Sequence, residues 1–192
     1  MLPENFVYVS LLLNLIAGVS YFLSTWRGDT QPNRVTWFFW ALAPLIAGAG
    51  QLSEGVGLAT LAVFSISIPP ILILLASFWN EKAYWKLGPF DYACGAAALF
   101  GLLLWAITND ALYAILFAIA SDLFAAIPTL LKSYTDPQSE DGRAFVLGTI
   151  APLIGLLVVQ ESVFAGYAFL TYSVLINGAI VALIYRKRIR GQ

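Results

Sequence analysis

Asp122 is the residue whose type and position most strongly suggest chemistry. It lies in the run Ala118-Ile-Ala-Ser-Asp122-Leu-Phe, with apolar residues before and after it. A carboxylate at that depth in an apolar segment is costly in lipid, so we expect it to face other helices, a bound solute or water. The functional interpretations are a proton-coupling group or a solute contact. The alternative is a helix-packing hydrogen bond to a neighbour such as Asn14 or Asn177.

Two asparagines lie in apolar segments as well. An amide both donates and accepts, so Asn177 suits a polar solute, although an interhelical hydrogen bond explains such a residue equally simply. For Asn14 we favour the packing interpretation over solute contact.

Prolines interrupt several apolar segments. Pro44, Pro128 and Pro152 each remove a backbone donor, which allows either a hinge for gating or a static kink. Pro69-Pro70 is a stronger break, and it frees carbonyls near Ser65 and Ser67. We expect these two serines to line the same cavity as Asn177.

The tryptophans divide into two groups. Trp26, Trp37, Trp79 and Trp85 lie near segment ends, where an interfacial belt is the expected role. Trp40 is deeper and shares a helical face with the proline four residues later, so stacking on a ring-shaped solute is a further hypothesis.

Other chemistries find little support in the composition. The chain has no histidine and one cysteine, Cys94, so we expect no metal centre, no haem and no internal disulfide. No serine-nucleophile motif is present, which argues against an enzyme. The basic residues are few and form short clusters, so a nucleic-acid partner is not expected. We expect no cofactor.

The elements that must position these residues are membrane spans. Of the 192 residues, 60% are hydrophobic and only 11% are charged, and mean hydropathy is +0.81. A soluble domain carries roughly 25% charged residues. Stretches of about 20 apolar residues cross a hydrocarbon core. Seven are predicted, at 6–25, 35–53, 57–79, 89–108, 110–132, 143–160 and 162–185. The breaks near Glu54, Asn109 and Glu161 are the shortest.

The basic residues indicate the orientation. With seven spans, all ten fall in loops on one side: Arg27, Arg34, Lys82, Lys86, Lys132, Arg143, Arg186, Lys187, Arg188 and Arg190. Cytoplasmic loops concentrate lysine and arginine, which predicts the N-terminus outside and the C-terminus inside. The N-terminus lacks the positive region of a signal peptide, so the first span is expected to be retained.

An internal repeat divides the seven spans. Ala43-Pro44-Leu45-Ile46 recurs 108 positions later as Ala151-Pro152-Leu153-Ile154, and Phe64-Ser65 faces Tyr172-Ser173 at the same offset. Upstream the offset is 105, where Arg27 faces Lys132. The division predicted is a three-helix repeat in 1–79, a linker helix in 80–109, and a second three-helix repeat with a basic tail in 110–192. An inverting linker gives the two repeats the same orientation, which is a transporter architecture.

These features resemble the PQ-loop superfamily, which includes the SWEET sugar transporters and, more distantly, the PnuC vitamin-precursor transporters. The local motif is the segment 127–134 followed by 136–140, similar to the family's helix-end Pro-Gln, basic residue and S-x-E loop. Thr129 stands where glutamine is usual, and Leu23 departs from a family proline. The resemblance implies that Pro44, Pro128 and Pro152 are gating prolines. It also implies that Asn177 contacts the substrate, although its repeat mate is Pro69.

The sequence therefore predicts a multi-pass protein of the plasma or inner membrane. The expected function is uniport or proton-coupled transport of a small polar solute, such as a sugar, vitamin precursor or amino acid. Self-association into a homo-oligomer is left open. The alternative is a receptor of the same fold that binds a ligand without moving it. A retinal photoreceptor is excluded because 162–185 contain no lysine for a Schiff base.

Overall fold

The computed structural model describes residues 2–80, 82–83, 85–108, 110–160 and 163–189, and all regular secondary structure within them is helical. The helices are α1 Val7–Arg27, α2 Arg34–Ser53, α3 Thr60–Ile66, α4 Ile68–Trp79, α5 Pro89–Thr108, α6 Ala111–Thr135, α7 Gly142–Val158 and α8 Phe164–Ile189. Short 3₁₀ turns precede α1 and α7, at Glu4–Phe6 and Pro137–Ser139. The predicted breaks at Asn109 and Glu161, and the basic residue Arg190, lie outside the described residues.

Six helical segments of the described chain are long and apolar enough to cross a membrane. They are Glu4–Arg27, Arg34–Ser53, Thr60–Trp79, Pro89–Thr108, Ala111–Thr135 and Phe164–Arg186. Large apolar side chains such as Phe78, Ile107 and Leu175 are exposed on their surfaces, as a lipid-facing protein requires. The chain is an all-α, multi-pass membrane protein. The remaining predicted span, 143–160, is α7, an apolar helix of 17 residues that falls below the length of the other six.

Helix boundaries follow from capping side chains. Asn33, Asp110 and Asp141 accept hydrogen bonds from backbone N–H groups in the first turns of α2, α6 and α7. At the other end of α1, Gly28 adopts a left-handed conformation with φ of 83°, which costs glycine little. These small polar residues therefore set where the apolar helices begin and end.

The third predicted span consists of two helices. α3 ends at Ile66 and α4 begins at Ile68, with Ser67 between them. Pro69 and Pro70 occupy the first turn of α4, where their missing N–H groups leave carbonyls of the preceding turn without helical donors. The double proline therefore explains the interruption.

The helices pack in two groups of similar arrangement. In the first group, α4 contacts both α1 and α2, and in the second group α8 contacts both α6 and α7. The groups meet where α1 packs on α7 and α2 packs on α6. α5 lies against α6 and α2. We call α1–α4 the first unit and α6–α8 the second unit.

Small residues allow close approach within and between the units. A Cβ atom on Gly18 of α1 would lie 2.9 Å from Cα of Pro69 in α4. A Cβ atom on Gly155 of α7 would lie 2.9 Å from Cβ of Ala62 in α3. Membrane helices have little hydrophobic drive to associate, so such close packing supplies much of the attraction between them.

Hydrogen bonds also join the two units. Ser10 of α1 donates to the carbonyl of Ala151 in α7 at 2.7 Å, and Thr36 of α2 donates to the carbonyl of Ala125 in α6 at 2.7 Å. All of these donors and acceptors lie in the buried interface. The two contacts are made by α1 with α7 and by α2 with α6, so the units are held together on both sides of the space between them.

Candidate functional site

A central cavity lies between the first and second units. Its empty volume is about 570 Å³, open mouths included. Helices α1, α2, α3 and α4 of the first unit and all three helices of the second contribute to its wall. The wall combines aromatic rings with a few polar side chains.

Asp122 is the charged group of this wall. It lies 11 residues beyond the start of α6, about 17 Å along the helix axis, and is 5% exposed. Its Oδ2 accepts a hydrogen bond of 2.6 Å from the Tyr172 hydroxyl of α8. Its backbone carbonyl accepts one of 3.3 Å from Nε1 of Trp40 in α2. The partner of the carboxylate is thus Tyr172, and neither Asn14 nor Asn177 bonds to it.

The two asparagines both line the cavity. Nδ2 of Asn177 donates to the carbonyl of Ser173 at 2.9 Å, and Nδ2 of Asn14 donates to Oγ of Ser65 at 2.8 Å. Among the described residues, no hydrogen bond uses either amide oxygen. The oxygen of Asn177 lies beside Gly148, 3.2 Å from where a Cβ would stand. Each amide therefore keeps its oxygen and one of its two N–H hydrogens without a protein partner among the described residues.

Aromatic rings form another part of the wall. The Trp37 ring lies 4.9 Å from that of Tyr21 and 5.1 Å from that of Trp40, both edge to face. Phe145 of α7 lies 6.1 Å from Trp37 and 6.2 Å from Trp40. Trp37 is only 3% exposed, and its Nε1 has no hydrogen-bond partner. The interfacial role predicted for Trp37 is wrong, because its ring turns inward to the cavity.

The two serines predicted for the wall lie just behind it. Ser65 holds Asn14 in place and donates in turn to the carbonyl of Ala62 at 2.8 Å. Ser67 is buried at the junction of α3 and α4, and its hydroxyl has no partner. At this point of the fold the cavity is lined by Ile66 and Pro69 instead.

The three gating-proline candidates lie inside α2, α6 and α7. Proline removes the donor to the carbonyl four residues earlier, which is that of Trp40 for Pro44 and that of Gly148 for Pro152. Both Trp40 and Gly148 line the cavity. The carbonyl affected by Pro128 is that of Phe124. Two of the three carbonyls that lose a helical donor thus belong to residues that line the cavity.

A buried ion pair lies at the end of the bundle that carries the basic loops. Nζ of Lys132 lies 2.6 Å from Oε1 of Glu140, with side chains 1% and 0% exposed. The hydroxyl of Tyr21 donates to the other carboxylate oxygen of Glu140, and Lys132 also donates to the carbonyl of Gln31. We call Tyr21, Gln31, Lys132 and Glu140 the ion-pair cluster. It connects α1 and the α1–α2 loop to α6 and the α6–α7 loop.

Beyond this cluster lies a wider polar recess. Its empty volume is about 1060 Å³, and its wall includes Arg27, Asp29, Glu140, Asp141 and Arg143. Tyr21 lines the central cavity, whereas Glu140 lines the recess. The hydrogen bond between Tyr21 and Glu140 therefore stands between the two spaces.

The geometry brings together several residues that the sequence did not single out. Tyr172, Trp37 and Phe145 line or support the cavity, and Tyr21 closes one end. For Tyr172 a signal existed, since it occupies the repeat position of Phe64 and differs from it by one hydroxyl. The other three resemble ordinary core aromatics in sequence.

Comparison with protein-family models, with curated proteins and with solved structures finds no match. The class defined by the fold is that of an all-α, multi-pass membrane protein, and the interpretation of its site rests on the geometry.

Proposed function

We propose that the chain is a transporter that moves a small polar solute through the central cavity by alternating access. The observation that carries this proposal is the position of Asp122, a buried carboxylate in a cavity between two helical units. Intramembrane carboxylates are expensive and usually mark solute or ion pathways. A purely structural carboxylate has no need of a surrounding cavity.

The proposed architecture is seven spans arranged as three, one and three, with the N-terminus outside and the C-terminus inside the cell membrane. Two features support it. α4 contacts α1 and α2 just as α8 contacts α6 and α7, and the units meet through α1 with α7 and α2 with α6. This is the pattern that two repeats related by an axis along the membrane normal would make. α7 has 17 residues, about 26 Å, which reaches most of a hydrocarbon core of roughly 30 Å.

In this proposal the ion-pair cluster closes the path on the basic side. A solute leaving the cavity for the polar recess has to displace the contact between Tyr21 and Glu140. Because that contact joins the two units, opening requires them to separate at this end. The conformation described here is therefore the one closed towards the cytoplasm.

The prolines are proposed as the points at which the helices flex. Pro44 in α2 and Pro152 in α7 leave carbonyls at the level of the cavity without helical donors, so bending there breaks no helical hydrogen bond. One helix of each unit thus has a weak point beside the solute. Such placement would let the basic end open while the opposite end remains packed.

Flux measurements in liposomes test the proposal. Purified protein is reconstituted, and uptake is followed for a panel of labelled sugars, amino acids, polyamines and vitamin precursors against protein-free liposomes. We expect saturable uptake of at least one solute, and loss of it in Asp122→Ala. Glu54→Gln, which removes an exposed carboxylate at the end of α2, is the matched control and should retain uptake. Ligand binding without flux would favour the receptor alternative.

A further inference from the structure

We propose that the solute of the central cavity is a compact organic cation, an inference that rests on the proposed function of the cavity. Asp122 is the one side chain carrying a formal charge among the described residues of the wall. Tyr172 donates to Oδ2 of the carboxylate and the indole N–H of Trp40 lies beside the same residue, which leaves Oδ1 able to accept a further hydrogen bond. The wall therefore holds a carboxyl group with no lysine or arginine among its described lining residues.

The other polar groups of the wall point to the same class of solute. Each asparagine donates one amide hydrogen to a protein acceptor, and its amide oxygen has no hydrogen-bond partner among the described residues. Together with the free oxygen of Asp122, the wall presents three acceptors from α1, α6 and α8. Nε1 of Trp37 is a buried donor without a partner in the wall. A solute that carries N–H or O–H donors can therefore bond to the carboxylate and to both amide oxygens.

The aromatic rings favour a cationic solute over a neutral hydrogen-bond donor. Tryptophan and tyrosine rings attract a cation within about 6 Å of the ring centre. Trp37, Trp40 and Tyr21 supply such rings on the side of the cavity formed by α1 and α2, with Asp122 coming from α6. A cation held between the rings and the carboxylate forms a pair with no net charge. A neutral pair is far cheaper to hold between two membrane units than either ion alone.

A neutral sugar is disfavoured by the same geometry. Its hydroxyl groups need donors as well as acceptors, and each asparagine of the wall has one amide hydrogen already committed to the protein. A sugar would also leave the carboxylate without a counter-ion. The proposal thus distinguishes the solute class by charge, and its test compares solutes of similar shape that differ by one positive charge.

The experiment measures binding of matched pairs to protein in lipid nanodiscs by quenching of tryptophan fluorescence and by calorimetry. The pairs are choline with 3,3-dimethylbutan-1-ol and methylguanidinium with methylurea, which have similar shapes but differ by one positive charge. Arginine, spermidine, glucose and xylitol extend the range of sizes. We expect cations to bind at least about tenfold more tightly than their neutral counterparts, since a ring contact and a carboxylate both favour them.

Two variants test whether the preference for cations arises in the central cavity. Asp122→Asn should reduce the preference for cations to the part that the aromatic rings supply while keeping the shape of the site, and Glu54→Gln should leave the preference unchanged. Because Asp122→Asn could disturb folding, the melting curve of this variant is recorded. The comparison of charged with neutral solutes on the wild-type protein does not depend on the variant. Equal binding of cations and neutral counterparts overturns the proposal, as does absence of binding for every cation. So does a preference for cations that is undiminished in Asp122→Asn.

The outcomes also separate this inference from the proposed function. Saturable flux of a neutral sugar with no cation binding overturns the inference and leaves transport standing. Cation binding without flux of any cation supports the inference and contradicts transport.

Discussion

Replacing Glu140 by glutamine tests the closure of the basic end. In the closed conformation Lys132 and Glu140 are fully buried against each other. Glutamine keeps the size of the side chain but leaves the ammonium of Lys132 buried without its counter-ion. Removing one partner of a buried ion pair typically costs about 3–5 kcal/mol. A conformation in which this end is open and hydrated avoids that cost.

The expected change in the ratio of open to closed molecules follows from the lower limit of the range of about 3–5 kcal/mol. A loss of about 3 kcal/mol in the closed conformation alone raises the ratio of open to closed molecules about 100-fold. The lone cysteine is first removed by Cys94→Ala, and Ala144→Cys then places a thiol in the cavity wall. The rate of alkylation by a charged maleimide reports access to the cavity. Glu140→Gln should raise that rate by up to about 100-fold.

Two comparisons make the result specific. The double variant Lys132→Met with Glu140→Gln should raise the alkylation rate less than Glu140→Gln alone, because no unpaired ammonium remains buried. Glu54→Gln, at the opposite end of α2, should leave the rate unchanged. An alkylation rate in Glu140→Gln within about twofold of the parent, in a protein that melts normally, would refute closure by the ion-pair cluster.

Three further predictions concern packing and flexing. Gly18→Ala forces a Cβ against the backbone of Pro69 and should destabilise the fold by about 1–3 kcal/mol in denaturant titrations, whereas Gly57→Ala, with open space around it, should not. Pro152→Ala restores a helical donor in α7, and it should lower the rate of solute flux while leaving thermal stability equal or higher. Unchanged flux would contradict the proposal that α7 flexes at Pro152. Ser10→Ala loses the hydrogen bond to the α7 carbonyl and should lower the free energy of unfolding by about 1 kcal/mol in the same titrations. A change near zero would contradict this expectation.

Much of the fold was predictable because lipid imposes simple rules. Apolar length predicted the six long helices to within a few residues, and the double proline predicted the weak point that separates α3 from α4. Orientation and the division into repeats remain predictions from loop charge and from matched positions along the chain.

The candidate site was predictable only in part. Asp122, Asn14, Asn177 and Trp40 do line one cavity, since deep polar groups in apolar helices must face inward. The partner of Asp122 was missed, because the Tyr172 hydroxyl comes from a helix 50 positions away and sequence spacing gives no rotation about helix axes.

The ion-pair cluster was missed for a different reason. The sequence presents Lys132 as a topological charge and presents both Lys132 and Glu140 as parts of a family-like loop motif, and neither pattern predicts a buried pair. In the fold the loop turns back over the end of α6, and both side chains become buried. Burial of a charged pair depends on tertiary packing, which no local pattern of residues encodes.

The most direct test of the central claim is blockage of flux through the cavity itself. Flux of the solute that the wild type moves best is measured in Cys94→Ala with Ala144→Cys, before and after alkylation to completion. The account predicts transport before alkylation and its loss afterwards, with Cys94→Ala alone unaffected by the reagent. Full flux through the completely alkylated protein would contradict a solute path between the two units.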